Sequence, residues 1–365
     1  MMANSKSIRA MRDYQQHTGE SLQYLTKNLK LGNDYRSVAD VTGAQQYLES
    51  RFLNAVGDQG DYLAHPFGFK AVRIDPRGPL TLMLDPAPEW VDHAPMTLGL
   101  LEKLLPFSHE SGVEGIALLR TGVVDERRLE IRYMGTNAKL ILCSQRRTDW
   151  AAALASRRDQ LTPEFVPLWD SPTATEFERE PNRHHLLRTE SIAWIGSALL
   201  RRIALFHTSS TAHRTHMYCS VTKDGGFGWT VEMVVDQAAA MCHDQLIAAL
   251  IRPDFGVPLV MTKMECSCTR NPESEEARRD ACMFHFGHED GRRGELRLRF
   301  CSEPTPSAQR QREHYHRAHA GRRWINRVLP AAATSPLPSE SSSRAPADKI
   351  AKSSDGVYST GQSHR

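Results

Sequence analysis

Two acidic side chains stand at matching places behind short turns, and each could activate a water molecule. Glu102 follows His93-Ala94-Pro95 after six intervening residues, and Asp236 follows Phe227-Gly228-Trp229 after the same interval. A carboxylate so placed can orient or deprotonate water. The unpaired backbone N–H groups at a helix start can hold a carbonyl oxygen as it gains charge. A glycine in the turn lets a substrate approach that backbone closely. Gly228 fits this place in the second half, with Gly226, Trp229 and Gln237 as further substrate contacts. Pro95 has no N–H to donate, which impairs the first half. His93 is the one histidine placed to pair with such an acid. Each residue also has a plainer reading. Asp236, with Glu232 one helical turn before it, would form a solvated edge. Glu102-Lys103 reads as a surface patch, and His93 as a turn residue.

The elements that must position these residues show mainly as hydrophobic patterning. Ala44 to Leu53 reads as a helix. Phe67 to Ile74 and Leu80 to Leu84 read as strands across the turn Asp75-Pro76-Arg77-Gly78, and Met96 to Leu105 as a buried helix behind Pro95. Strands follow at Gly115 to Leu119, Arg128 to Tyr133 and Lys139 to Cys143. Trp150 to Arg158 and Ser191 to Leu200 read as connecting helices. The order then returns. Ile203 to Thr208 and Thr215 to Val221 read as strands, Lys223-Asp224-Gly225-Gly226 as a turn, and Thr230 to Leu250 as a long helix. Leu259 to Cys268, Ala281 to Phe286 and Glu295 to Phe300 close the second half as strands. Strand-strand-helix-strand-strand-strand thus occurs twice, an internal duplication of pattern. The expected organisation is an N-terminal extension over 1–60, a first unit over 61–147, a helical connector over 148–202, a second unit over 203–303, and a tail over 304–365.

A long helix wrapped by an antiparallel sheet in this order resembles the hot-dog fold of acyl-CoA thioesterases and related dehydratases. Many of those thioesterases carry His-Gly-Gly leading into the helix and an acid after six residues. Here the acids Glu102 and Asp236 keep that spacing, while neither half keeps Gly-Gly and the second lacks the histidine. The resemblance spans roughly Pro66 to Ser302. It implies an α+β fold of two tandem hot-dog units. It also implies hydrolysis of an acyl-CoA or acyl-carrier thioester, with Asp236, Glu102 and His93 as catalytic candidates. Coenzyme A thioester enters as substrate, and no cofactor is expected. The eroded turns imply an alternative, a hot-dog scaffold or binding subunit that has lost the chemistry. A hydratase is a third option within the same fold.

Composition sets outer bounds. The 365 residues are 40% hydrophobic and 24% charged, with a net charge of +3, the balance of a globular protein large enough for two cores. No uncharged apolar run reaches the about 18 residues of a spanning helix; Arg201 and Arg202 interrupt the longest candidate. Seven scattered cysteines suggest reduced thiols rather than a disulfide framework. Cys266-Ser267-Cys268 with His285 and His288 raises a zinc reading. Structural sites favour wider gaps between paired cysteines, however, and strand alternation explains the pair, so no metal site is expected. Residues 309–327 are basic and also hold Tyr315, Trp324 and the histidines His314, His316 and His319. They suit a phosphate-bearing partner, whether RNA, coenzyme A or an acidic carrier protein. A ribonucleoprotein assembly is one setting for a scaffold. From Ala331 the Ser- and Pro-rich composition predicts disorder. Lys6, Arg9 and Arg12 without an acid leave the mitochondrial matrix open beside the cytosol. Further dimerisation is not set by the sequence.

Overall fold

The computed structural model describes residues 5–29, 35, 37–57, 66–75, 78–84, 94–110, 112–144, 148–179, 190–206, 212–222, 226–236, 243–266 and 282–303. All belong to one compact unit, Met1–Leu329; a second unit, Pro330–Arg365, holds none of them. The fold is mixed α and β. Two N-terminal helices, α1 (Ser5–Thr18) and α2 (Leu22–Leu29), precede α3 (Gly43–Val56).

The first sheet is built from β1 (Phe69–Arg73), β2 (Leu80–Leu84), β5 (Leu119–Asp125), β6 (Arg128–Tyr133) and β7 (Lys139–Cys143), in the order β1-β2-β7-β6-β5. Helix α4 (Ala94–Leu104) follows β2, and a hairpin of β3 (Phe107–His109) and β4 (Gly112–Glu114) comes before β5. Helix α5 (Trp150–Asp159) follows β7, and β8 (Val166–Pro167) joins the hairpin as a third short strand. The second sheet contains β9 (Ala212–Val221), β10 (Phe227–Asp236), β11 (Leu259–Glu265), β12 (Cys282–His288) and β13 (Glu295–Glu303), in the order β11-β12-β13-β10-β9. In the first sheet β2 runs parallel to β7, and in the second β10 runs parallel to β13; all other pairs are antiparallel. The two sheets therefore have the same connectivity. A hairpin leads through a helix to a three-strand meander, whose last strand returns beside the second strand of the hairpin. Each sheet also has a preceding helix, α3 for the first and α6 (Ala193–Arg201) for the second, and these two helices pack together.

Patterning explains most strands. β6 alternates Leu129, Ile131 and Tyr133 inward with charged residues outward, and β12 buries Cys282, Phe284, Phe286 and His288. One expectation is overturned. Thr230 to Leu250 is not a single long helix: β10 runs through Asp236, and helix α7 spans only His243–Leu250. β10 lies between β9 and β13, and its residues Trp229, Thr230, Val231, Met233 and Val234, which point to both faces of the sheet, are all buried. A strand covered on both faces loses the polar alternation that marks a strand in sequence, and its apolar run reads as a helix. Two smaller differences follow similar lines. Ile203–Phe206 is a buried 3₁₀ turn continuing from α6 rather than a strand. Residues 115–118 form a turn, with Leu118 at φ 66°, and the strand begins at Leu119.

A single hydrophobic core runs through both halves. It joins Phe52, Leu82, Leu101 and Leu140 to Trp229, Phe284, Phe286 and Leu298. The N-terminal helices dock on the second half. Asp13 pairs with Arg252 at 2.8 Å, and the His17 ring bonds the Ala249 carbonyl at 3.0 Å. No helix among the described residues is long and apolar enough to cross a membrane. The basic segment 309–327 lies outside the described residues, as does the rest of the tail.

Candidate functional site

A cavity of about 440 Å³ opens where the two halves meet. Helix α3 supplies Ser50, Arg51 and Asn54, and Lys103 comes from the end of α4. β9 and β10 supply Cys219, Ser220, Phe227 and Trp229, and Ile116 and Ile192 add apolar wall. The wall is positioned by interactions already in place. Asn54 Oδ1 accepts a bond from the Cys219 backbone N–H at 2.8 Å, which ties α3 to β9. Gly196 of α6 lies hard against the Trp229 ring; a Cβ there would fall 2.5 Å from Ser50 Oγ. Glu49, next to Ser50 and fully buried, accepts from Ser197 Oγ at 2.6 Å and from Arg201 Nε and Nη2 at 2.8 and 2.6 Å. That fork joins α3 of the first half to α6 of the second.

The chemistry of the cavity is cationic and aromatic. Arg51 and Lys103 bring positive charge, and no carboxylate or imidazole is among its lining residues. Arg51 also rests over the Tyr47 ring, 5.9 Å from its centre. The Trp229 indole is buried, and its Nε1 has no hydrogen-bond partner among the described residues. Such a donor is costly to leave unmade. Burial pushes the Cys219 thiol up to about 11, so it is protonated and a poor nucleophile near neutral pH.

The expected site residues fall in several places. Trp229 lines the cavity. Gly228 is inside β10, opposite Ser220 and Glu295; a Cβ there would meet the Glu295 carbonyl at 2.7 Å. Sheet packing, not substrate approach, thus accounts for that glycine. Gly226 is exposed in the turn before β10, where its carbonyl accepts from the Thr222 N–H at 2.8 Å. Glu102 is exposed on α4. Asp236 ends β10 opposite Glu303 and is not on a helix, which corrects the expectation of a helix carboxylate there. Glu232, expected beside it on that helix, is on the same strand and bonds Arg299 at 2.6 Å. His93 and Gln237 lie outside the described residues.

The histidines first weighed as zinc ligands have other partners. His285 bonds Glu295, and His288 stacks edge-on against Trp194 at 4.7 Å. The grouping that sequence reasoning missed is His243 with Cys266 and Cys282, whose ligand atoms lie within 4.8 Å of one another. The signal available for it was His243 directly after a cysteine and before Asp244, but the expected long helix hid it. No family model matches this chain, and neither do any of the curated proteins or solved structures compared with it.

Proposed function

We propose that this chain is a binding protein for a small amphipathic anion, held in the cavity between its two halves, rather than an acyl-thioester hydrolase. The observation that carries this reading is the lining itself: two cations, an aromatic and aliphatic wall, and no acid. A carboxylate or phosphate head lies between Arg51 and Lys103, where charge-assisted bonds are strongest. Its apolar body lies along Phe227, Trp229 and Ile192. A volume of about 440 Å³ falls within the usual range for small-molecule sites. A medium-length acyl chain bearing an acid group is the ligand type that suits both features.

Hydrolysis requires a base or nucleophile at the cavity, and the lining residues offer only the protonated Cys219 thiol and serine hydroxyls without a base beside them. In this proposal the two halves are a tandem pair of hot-dog-like units that have lost the chemistry. Their shared element order supports that kinship. The short α7 and the strand in place of a second long helix weigh against an intact catalytic pattern.

Calorimetric titration with octanoate, octyl phosphate and octanol tests the reading. Saturable binding of the two anions and not of the alcohol is expected. Arg51→Met and Lys103→Met should each weaken anion binding by about 1–2 kcal/mol, roughly five- to thirtyfold. Absence of saturable binding, or binding indifferent to both substitutions, would count against it.

A further inference from the structure

The second half carries a side-chain cluster that plays no part in the cavity. His243 opens α7, Cys266 directly follows β11, and Cys282 opens β12. Cys266 Sγ stands 3.5 Å from His243 Nε2 and 3.6 Å from Cys282 Sγ. A tetrahedral zinc ion with bonds of about 2.3 Å to sulfur and about 2.0 Å to nitrogen sets its ligands apart by about 3.8 Å for two sulfurs and about 3.5 Å for sulfur and nitrogen. The two separations from Cys266 agree with those edges, and His243 Nε2 lies within 4.8 Å of Cys282 Sγ. A disulfide would bring the sulfurs to about 2.05 Å.

The imidazole is oriented for this use. Asp244 Oδ1 lies 2.6 Å from His243 Nδ1. An ionised carboxylate only accepts, so Nδ1 carries the proton and Nε2 presents its lone pair to the sulfurs. Metal-bound histidines are commonly fixed by such a carboxylate on the other ring nitrogen. Phe284 and Phe300 pack against the ring, with centroids 4.9 and 5.8 Å away, and help hold its orientation.

The comparison between halves gives the cluster a purpose. In the first sheet the connection from β5 to β6 is Glu126 and Arg127 alone, closed by Asp125, which accepts from the Arg127 N–H at 2.9 Å and from Arg128 Nε at 2.7 Å. In the second sheet the same connection, from β11 to β12, runs through residues 266–281. Its first residue is Cys266, and Cys282 follows its last. Holding those two ends to each other and to α7 offsets the entropy of closing a long connection.

We propose that His243, Cys266 and Cys282 bind a structural zinc ion that clamps the β11–β12 connection onto α7. The fourth position is taken by water. The two thiols lose their protons to solvent as the metal binds. This replaces the expectation of a chain without a metal.

The test uses the full-length chain, reduced and stripped with a chelator, then titrated with cobalt(II). Saturation at one ion per chain is expected, with a near-ultraviolet sulfur-to-cobalt charge-transfer band that zinc(II) abolishes on displacing the cobalt. Cys266→Ser and Cys282→Ser should each diminish the band and weaken affinity by more than about tenfold, since each removes a ligand. Asp244→Asn alters an exposed side chain and leaves the fold intact. It should weaken affinity by about tenfold or more while keeping the band, as loss of an outer partner does. His285→Gln should change neither. A reduced chain without the band would overturn the proposal. So would affinity that is unchanged in both cysteine variants, the result expected of metal held by the histidines of residues 314–319.

Discussion

Glu49 is the residue on which the junction of the halves most depends. Its carboxylate receives Ser197 and both arms of the Arg201 fork, and Gln45 Nε2 adds a bond at 2.8 Å. Removing one partner of a buried pair leaves the other charge uncompensated, at about 3–5 kcal/mol. Glu49→Gln should therefore lower the urea-unfolding free energy by roughly 3 kcal/mol; a change within about 0.5 kcal/mol would show that α3 and α6 are held by apolar packing alone. Gly196 acts at the same junction through its lack of a side chain. Gly196→Ala drives a methyl into Trp229 and Ser50, and overpacking of this kind costs about 1–3 kcal/mol. Because Trp229 and Ser50 both line the cavity, the same substitution should also weaken anion binding, which calorimetry on the folded variant would read.

At the scale of elements, short strands were legible whether alternating or mostly apolar, and the long buried β10 was not. Arg128–Tyr133 and Lys139–Cys143 carry the bounds expected from their sequences. β10 misled because residues on both of its faces are buried, and no local pattern in a sequence reports what packs on them from far away in the chain. The same limit hid the candidate site. Trp229 was singled out, but Arg51, Lys103 and Cys219 come from three different elements that only the packing of the two halves brings together. Polar tethers between elements also predict a pH response. Glu178 is fully buried, which by itself would raise its carboxyl pKa. Its bonds to Arg120 and to the backbone N–H groups of Thr175 and Leu118 outweigh burial and hold the pKa below the usual carboxylate range. A depressed folded-state value gives stability that is present above the unfolded pKa, about 4.3, and is lost as pH falls through the lower folded value. Stability should decline with acid below about pH 4, and Glu178→Gln should flatten that limb while lowering stability at neutral pH. Urea unfolding at several pH values checks this, and an unchanged acid limb would contradict it.

For the whole molecule, the duplicated connectivity does not produce two independent bodies. Residues of both sheets meet in one hydrophobic core, and α3 and α6 cross-link the halves through Glu49 and Arg201. The cavity lies at their junction, with each half supplying part of its wall. Arg51 and Lys103 come from the first half, and Trp229 and Phe227 from the second. Such a junction can hold a ligand without acting on it. The most direct test places binding and turnover in one sample. Purified full-length protein would be titrated with octanoate and then given octanoyl-CoA while release of thiol is followed, beside Asp236→Asn and Arg51→Met. The account predicts saturable binding that Arg51→Met weakens, with no thiol release above buffer in any sample. Turnover that falls in Asp236→Asn while binding persists would contradict it and restore the hydrolase.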